Sequence, residues 1–183
     1  MMDKEQQLLD SALNLFTEFG FHATPTSKIA KDAGVSNGTL FHYFPTKEVL
    51  ILKLYEEIKK QLNVHLEKSI PVDAPLKQTF KVYFKKSIIW ALENQKEFDY
   101  IQQFINSPFI TMVDISDTAV TGNHHKLIEQ GQEKGELVNL PSQLILALIS
   151  NTVIAVYSFL KGNNQNQKEI LQKSFKQFWK LIT

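Results

Sequence analysis

The stretch Ile29-Ala30-Lys31-Asp32-Ala33-Gly34-Val35-Ser36-Asn37-Gly38-Thr39-Leu40-Phe41-His42-Tyr43-Phe44-Pro45-Thr46-Lys47-Glu48-Val49-Leu50 decides how this chain is read. It joins one short helix, a tight turn, a second short helix and the start of a third. Ala30 and Ala33 are small enough for close helix approach. Gly34 supplies the left-handed backbone of a turn, and Val35 plugs the space between the helices. Ser36 can cap the second helix. Leu40 and Phe44 are four apart and share one face, which leaves Asn37, Gly38, Thr39, His42 and Tyr43 on the other. Gly38 is unfavourable inside a helix by about 1 kcal/mol relative to alanine. Its presence makes sense if the backbone must pass close to a base or a phosphate. This is the economy of a helix-turn-helix, which lays its second helix in a DNA major groove. A generic three-helix mini-core with a glycine turn would produce the same helix pattern.

Outward from this stretch the chain reads as helices. Upstream, Leu8, Leu9, Ala12, Leu15, Phe16 and Phe19 recur at three-four spacing in a helix from about Asp3, and Gly20 is its natural stop. Thr24-Pro25 opens the next, with threonine as the cap and proline at the first helical position. Downstream, Thr46 caps a helix whose stripe is Leu50, Leu54, Ile58, Leu62 and Leu66, reaching about Lys68. Pro71 breaks the chain. Asp73-Ala74-Pro75 restarts it, with Leu76, Phe80, Phe84, Ile88 and Ala91 on one face. Further helices are expected at about Glu97–Asn106, Asp117–Lys134, Pro141–Leu160 and Gln165–Ile182, the last with Leu171, Phe175, Phe178 and Ile182 in a stripe. Ser107-Pro108 marks a break between the first two of these. No stretch sustains period-two alternation, so no strand is expected. The fold class is all-α, with a three-helix helix-turn-helix domain at residues 1–46 and a larger helical domain at 47–183.

The chain has 183 residues, 43% of them hydrophobic, which is ample for a real core. There is no cysteine, which excludes disulfides and thiolate metal sites and suits a reducing cytoplasm. Residues 1–10 are polar and carry no apolar signal core, so a cytoplasmic location is expected. Leu144 to Leu160 is mostly apolar but is interrupted by Ser150-Asn151-Thr152, which points to a helix buried on both sides rather than a membrane span. The net charge of +1 gives no nucleic-acid signal, and residues 1–47 hold four lysines (4, 28, 31, 47) against five acids (3, 5, 10, 18, 32). All 20 basic residues are lysine, so the commonest bidentate reader of guanine is absent and lysine must serve as a point charge. Catalysis has little support. His124 and His125 are adjacent and point to different sides of a helix, whereas metal ligands want i, i+4 spacing. His22, His42 and His65 are isolated. No enzyme activity, metal or cofactor is expected.

A longer pattern now stands out: Ala12-Leu13-Asn14-Leu15-Phe16 with Gly20, then Thr24, Ile29-Ala30, Ala33-Gly34-Val35-Ser36, Gly38-Thr39-Leu40, His42-Tyr43-Phe44, Lys47-Glu48 and Leu50. It resembles the TetR family of transcriptional regulators over about 50 N-terminal residues. The resemblance implies a homodimeric repressor on a palindromic operator, released by a small hydrophobic or aromatic molecule. Carried over by position, it implies base-edge contacts from Asn37, Gly38, Thr39 and His42, and phosphate contacts from Thr24, Thr26, Ser27, Lys28, Ser36, Tyr43 and Lys47. Lys47 also sits at a helix start, where free amides attract phosphate. Phe41 stands where the family usually carries tyrosine and offers no hydroxyl. Plainer readings exist: His42 as a surface histidine, Tyr43 as a core edge, Lys28 and Lys31 as solvated charges.

In that family the C-terminal helices hold a ligand cavity and a dimer interface. Aromatics crowd residues 80–109, including Phe98 and Phe109. Phe80, Tyr83, Phe84, Trp90, Tyr100 and Phe104, with Asn151, are the candidate pocket residues; plain core packing fits the rings equally well. Asn151 is open between a pocket group, a satisfied core hydrogen bond and a contact across a dimer. The last two helices would pair through Val153, Tyr157, Phe175, Phe178 and Trp179 in a four-helix bundle. Residues 161–183 carry five lysines and one glutamate, a solvated face or a second patch for nucleic acid or membrane. The expected partners are double-stranded operator DNA, a small-molecule effector and a second copy, with no membrane. The competing reading is a helical hydrophobe-binding carrier or sensor with little DNA affinity, motivated by the acidic N-terminal balance and the missing arginine.

Overall fold

The computed structural model describes residues 3–70, 73–113, 122–163 and 166–183, and every regular element among them is helical. In chain order these are α1 (Lys4–Phe19), α2 (Thr26–Asp32), α3 (Asn37–Tyr43), α4 (Lys47–Glu67), α5 (Leu76–Glu93) and α6 (Gln95–Ile105). A 3-10 turn (Pro108–Met112) comes next, followed by α7 (His124–Glu133), α8 (Ser142–Lys161) and α9 (Gln167–Ile182). The Pro71 break, the residues before Gly122 in the helix expected from Asp117, and the Gln165 start lie outside the described residues. By packing, the chain divides into two units. One takes the residues up to Lys60 and the segment that starts at Asn94; the other takes Gln61–Glu93 and the described residues beyond 121.

In the first unit α1 and the 3-10 turn are bounded as their local chemistry says they should be. Asp3 accepts from the Glu5 amide at the start of α1, and Gly20, at φ 80°, returns its N–H to the Phe16 carbonyl. Ser107 opens the 3-10 turn by accepting from the Phe109 amide, giving structure to what reads as a plain break in the sequence. Leu8, Ala12, Phe16, Ile29, Leu40, Leu50 and Ile51 are fully buried and form the core of α1 to α4. α6 packs on α1, and Tyr100 locks it there. Its ring meets Phe16 and Phe21 at centroid distances of 6.3 and 5.5 Å, and its hydroxyl donates to the Ile51 carbonyl at 2.8 Å. Phe104 stacks on Tyr55 at 3.9 Å. Burial holds the Tyr100 hydroxyl well above its ordinary pKa and pushes that of Tyr55 up to about 12. Tyr100 and Phe104, expected at a ligand pocket, are therefore core residues of this unit, because a buried phenol must find an acceptor and Ile51 supplies it. Tyr100→Phe should cost about 1 kcal/mol, read as a lower urea midpoint at unchanged m-value.

In the second unit α5 packs on α8 and α9, while α7 packs on α8. Phe84 lies at the centre: Phe178 stacks on it at 5.7 Å with an interplanar angle of 6°, and Phe175 approaches at 5.7 Å. Phe80 meets Trp179 edge-on at 5.7 Å. Tyr83 stands against the His124 ring at 4.7 Å, while His125 contacts Ser142. Gly131 is buried where α7 is tightest, since a Cβ there would come within 2.6 Å of Leu76 and 2.7 Å of Leu137.

Two expectations for this unit are corrected. Val153, Tyr157, Phe175 and Phe178 do not form an outer dimer surface: they are 7%, 2%, 5% and 3% exposed, consumed by packing among α5, α8 and α9, and only Trp179 of that set is half-buried. Nor is α8 buried on both sides. Ile145, Val153, Val156, Tyr157 and Leu160 face inward, while Leu144, Ala147, Asn151, Ala155 and Phe159 face outward, with Leu144 at 45% and Phe159 at 55% exposure. By length and composition alone α8 could cross a bilayer. Asn151 sits on the outward face and donates to the Ala147 carbonyl at 2.8 Å, so it lines no pocket within the chain.

Candidate nucleic-acid interface

The turn between α2 and α3 is built by backbone geometry. Ala33 ends α2, Gly34 follows at φ 69°, its N–H bonds to the Lys31 carbonyl at 3.1 Å, and the Val35 N–H bonds to the Ala30 carbonyl at 2.9 Å. This paired closure satisfies two orphan carbonyls and demands a left-handed residue, which glycine supplies without strain. Ser36 then caps α3: its Oγ accepts from the Thr39 amide at 3.1 Å and lies 3.0 Å from the Thr39 hydroxyl. Leu40 and Phe44 are buried, at 0% and 2% exposure, and pin α3 against α2 and the start of α4. Ser11 on α1 ties the motif down, donating its single proton between the Asp32 carboxylate at 2.7 Å and the Ile29 carbonyl at 3.1 Å.

With Leu40 and Phe44 inward, the outer face of α3 presents Asn37, Gly38 and His42, all exposed, with Thr39 and Tyr43 half-buried at its flanks. The His42 and Tyr43 rings meet edge-on at 5.5 Å, which gives His42 a preferred position at the surface. Phe41 is also outward, at 46% exposure. Its position three residues after Gly38 already sets it beside the groove-facing side chains. Gly38 has open space around its Cβ direction, where the nearest atom is Ser36 Oγ at 3.7 Å. The fold itself therefore does not require glycine there.

Of the residues expected at phosphate, Ser27 and Lys28 are exposed and Thr26 and Lys47 are half-buried. Lys28 carries its ammonium over the exposed Phe19 ring, 3.4 Å from the centroid, which holds the charge close to the surface of α1. Lys47 has its pKa lowered by partial burial, partly offset by neighbouring Glu48. At the start of α4 the amides are not all free: the Val49 N–H bonds to Thr46 Oγ1 at 3.2 Å, and the Glu48 carboxyl is held below its usual range by its own backbone amide and the Thr46 hydroxyl. Thr24 is the clear correction. Its side chain is fully buried and its hydroxyl is directed at two carbonyls, Gly20 at 2.8 Å and Leu15 at 3.2 Å. It neither caps α2 nor reaches a phosphate. Pro25 takes the cap position with no side-chain bond, and α2 begins at Thr26.

Comparison with known proteins agrees with this geometry. Residues 8–54 match the family described as bacterial regulatory proteins, tetR family, and residues 55–183 match a tetracyclin repressor-like C-terminal domain. The fatty acid metabolism regulator protein of Bacillus subtilis (strain 168) is 30% identical over 162 residues, covering 82% of this chain and 81% of the relative. A TetR-family transcription regulator from Shewanella sp. PV-4 has the same fold at a TM-score of 0.90, with 31% identity and 98% of both chains covered. FadR from Bacillus subtilis, solved in complex with stearoyl-CoA, shares the fold at a TM-score of 0.74 with 22% identity over 96% of each chain.

Proposed function

Because this chain belongs to the TetR family of DNA-binding transcriptional regulators, we propose that it works as a homodimeric repressor on a palindromic operator. The observation that carries this is the outer face of α3, where Asn37, Gly38 and His42 stand exposed above the buried pair Leu40 and Phe44. Residues 1–46 form the DNA-binding part in this reading and 47–183 the part that dimerises and senses, in the cytoplasm where operator DNA is reached. Asn37, Gly38, Thr39 and His42, joined by Phe41, meet base edges; Thr26, Ser27, Lys28, Ser36, Tyr43 and Lys47 meet phosphates. An apolar Phe41 suits a thymine methyl.

The second copy is what covers α8. An outward face of Leu144, Ala147, Asn151, Ala155 and Phe159 combines apolar area with small residues that permit close helix approach, and Leu181 on α9 adds a further exposed apolar side chain at 55%. A two-fold pairing of such a face is self-complementary. Asn151 within it would set the register, as a single polar group does in a helical seam.

The effector in this reading carries a long acyl chain, supported by the B. subtilis relative named for fatty acid metabolism, and is presented as a coenzyme A thioester, the form held by FadR of the same fold. The rings of Phe84, Phe175 and Phe178 pack on one another, so such a chain enters only by displacing them, which couples binding to helix movement. Footprinting on DNA flanking the gene, with stearoyl-CoA added, tests the whole scheme. Protection at low salt that the thioester abolishes is the expected result. Absence of any protection would sink the repressor reading, and protection indifferent to every acyl-chain length would sink the effector. Within the interface, His42→Ala should relax discrimination between operator and random DNA. Lys47→Ala should weaken both alike and lower the salt slope by about one unit. Equal losses on both DNAs for both variants would refute that division of roles.

A further inference from the structure

A groove of about 530 Å³ lies between the start of α5 and the second half of α9. Its floor is aromatic, with Trp179 half-buried and flanked by Phe175 at 6.0 Å and Phe80 at 5.7 Å. Four lysines line it, Lys77 and Lys81 from α5 and Lys176 and Lys180 from α9, and among the described residues no carboxylate does. The Lys77 ammonium stands 5.7 Å from the Trp179 ring. Further along the same two helices, Lys85 has its pKa lowered by partial burial and then by Lys81 and Lys168, so the positive field extends past the groove. The nearest carboxylate on α9, Glu169, is held by Lys173 at 2.6 Å. Two of the five lysines after residue 160, Lys176 and Lys180, belong to this array.

We propose that this groove binds a phosphorylated aromatic anion of nucleotide type, its base stacked on Trp179 and its phosphates met by Lys77, Lys81, Lys176 and Lys180. Four lysines lining one concave site set up a positive local field, which favours an anion there. A planar ring on Trp179 extends the aromatic layer already formed with Phe175. Gln78 and Gln172, also in the lining, offer both donor and acceptor atoms to a base edge. The volume suits a small ligand and not a DNA duplex, which needs an extended surface. Two sources share this chemistry: a free nucleotide, or the phosphorylated adenosine end of the thioester proposed above, the second of which rests on that effector reading.

Calorimetry on the whole protein without DNA tests the groove separately from repression, using ADP, adenosine, inorganic phosphate and coenzyme A as probes. ADP should bind and adenosine and inorganic phosphate should bind far more weakly, with affinity for ADP falling as KCl is raised. Replacing Lys77, Lys81, Lys176 and Lys180 together by glutamine should weaken ADP by about 30-fold, two- to threefold per lysine. Lys77, Lys176 and Lys180 are exposed and Lys81 is half-buried, and helical content and thermal midpoint report that the variant folds. Trp90→Phe leaves Trp179 as the chain's one tryptophan, and its fluorescence should be quenched by ADP. ADP and coenzyme A binding equally would assign the groove to a free nucleotide; coenzyme A binding tenfold tighter would assign it to the head of the larger ligand. No heat at millimolar ADP, equal affinity for adenosine and ADP, or undiminished binding by the quadruple variant would overturn the proposal. So would a DNA duplex whose binding alone responds to the four lysines.

Discussion

Leu144→Glu combined with Phe159→Glu is expected to turn the proposed dimer into a folded monomer and to weaken binding to the full operator by about a hundredfold or more. Both side chains are outward, at 45% and 55% exposure, so the change leaves the core of α5, α8 and α9 intact. Four added carboxylates facing one another across a two-fold seam would repel where apolar area was to be buried. The DNA loss follows from geometry: two half-sites held together bind as one event, and separated monomers lose that effective concentration. Sedimentation velocity should give a single monomer boundary, and affinity for an isolated half-site should match the unaltered protein. A variant that stays dimeric refutes the α8 face as the seam. A monomer that keeps full operator affinity refutes the link between pairing and DNA binding. The contrast with the buried set is sharp. Tyr157→Glu or Phe178→Glu should unfold the second unit instead, because those positions are 2% and 3% exposed and a carboxylate there has no partner.

Gly38→Ala should raise stability and lower operator affinity in the same molecule. Alanine is favoured over glycine within a helix by about 1 kcal/mol, and at Gly38 the added methyl meets nothing closer than 3.7 Å. The thermal midpoint therefore rises. In the proposed complex the same methyl would stand on the first turn of α3, between backbone and base edges. Losing a close approach there should cost about 1–3 kcal/mol, or about fivefold to 150-fold in affinity. The salt slope should not change, since no cation is removed. Titration of operator by the variant at two salt concentrations, beside its melting curve, reads both signs. Unchanged or tighter binding would mean that this glycine has no part in recognition.

Much of the recognition unit was legible because its signals are local. Gly34 demands a positive φ, Ser36 and Thr46 offer caps, and Leu40 and Phe44 share a face by helical period alone. Each of these is decided within four residues of chain, and the structure realises all of them. Thr24 was misread for a related reason. Threonine before proline is a local cap signal, but two carbonyls nine and four residues upstream, on Leu15 and Gly20, compete for its hydroxyl and win. Phe41 was read as a lost hydroxyl, although the helical period that places His42 also turns Phe41 outward.

Long-range partners were not legible. Tyr100 and Phe104 fall in the same aromatic crowd as Phe80 and Phe84, and nothing in their spacing separates them. Tyr100 is claimed by Ile51, forty-nine residues earlier, while Phe84 is claimed by Phe175 and Phe178 far downstream.

By itself, the sequence determined that this chain is helical, where most helices begin and end, and that α3 turns a polar face outward around a glycine. Periodicity and capping act over one or two turns, so the residues carry that information with them. Only the tertiary structure decided which apolar stripe meets which: that Val153, Tyr157, Phe175 and Phe178 close the core while Leu144 and Phe159 remain outside, and that lysines from α5 and α9 converge on Trp179. The physical reason is that burial is non-directional. An apolar side chain is stabilised by any dry contact of sufficient area, so a stripe says that something must cover it, and only packing says what.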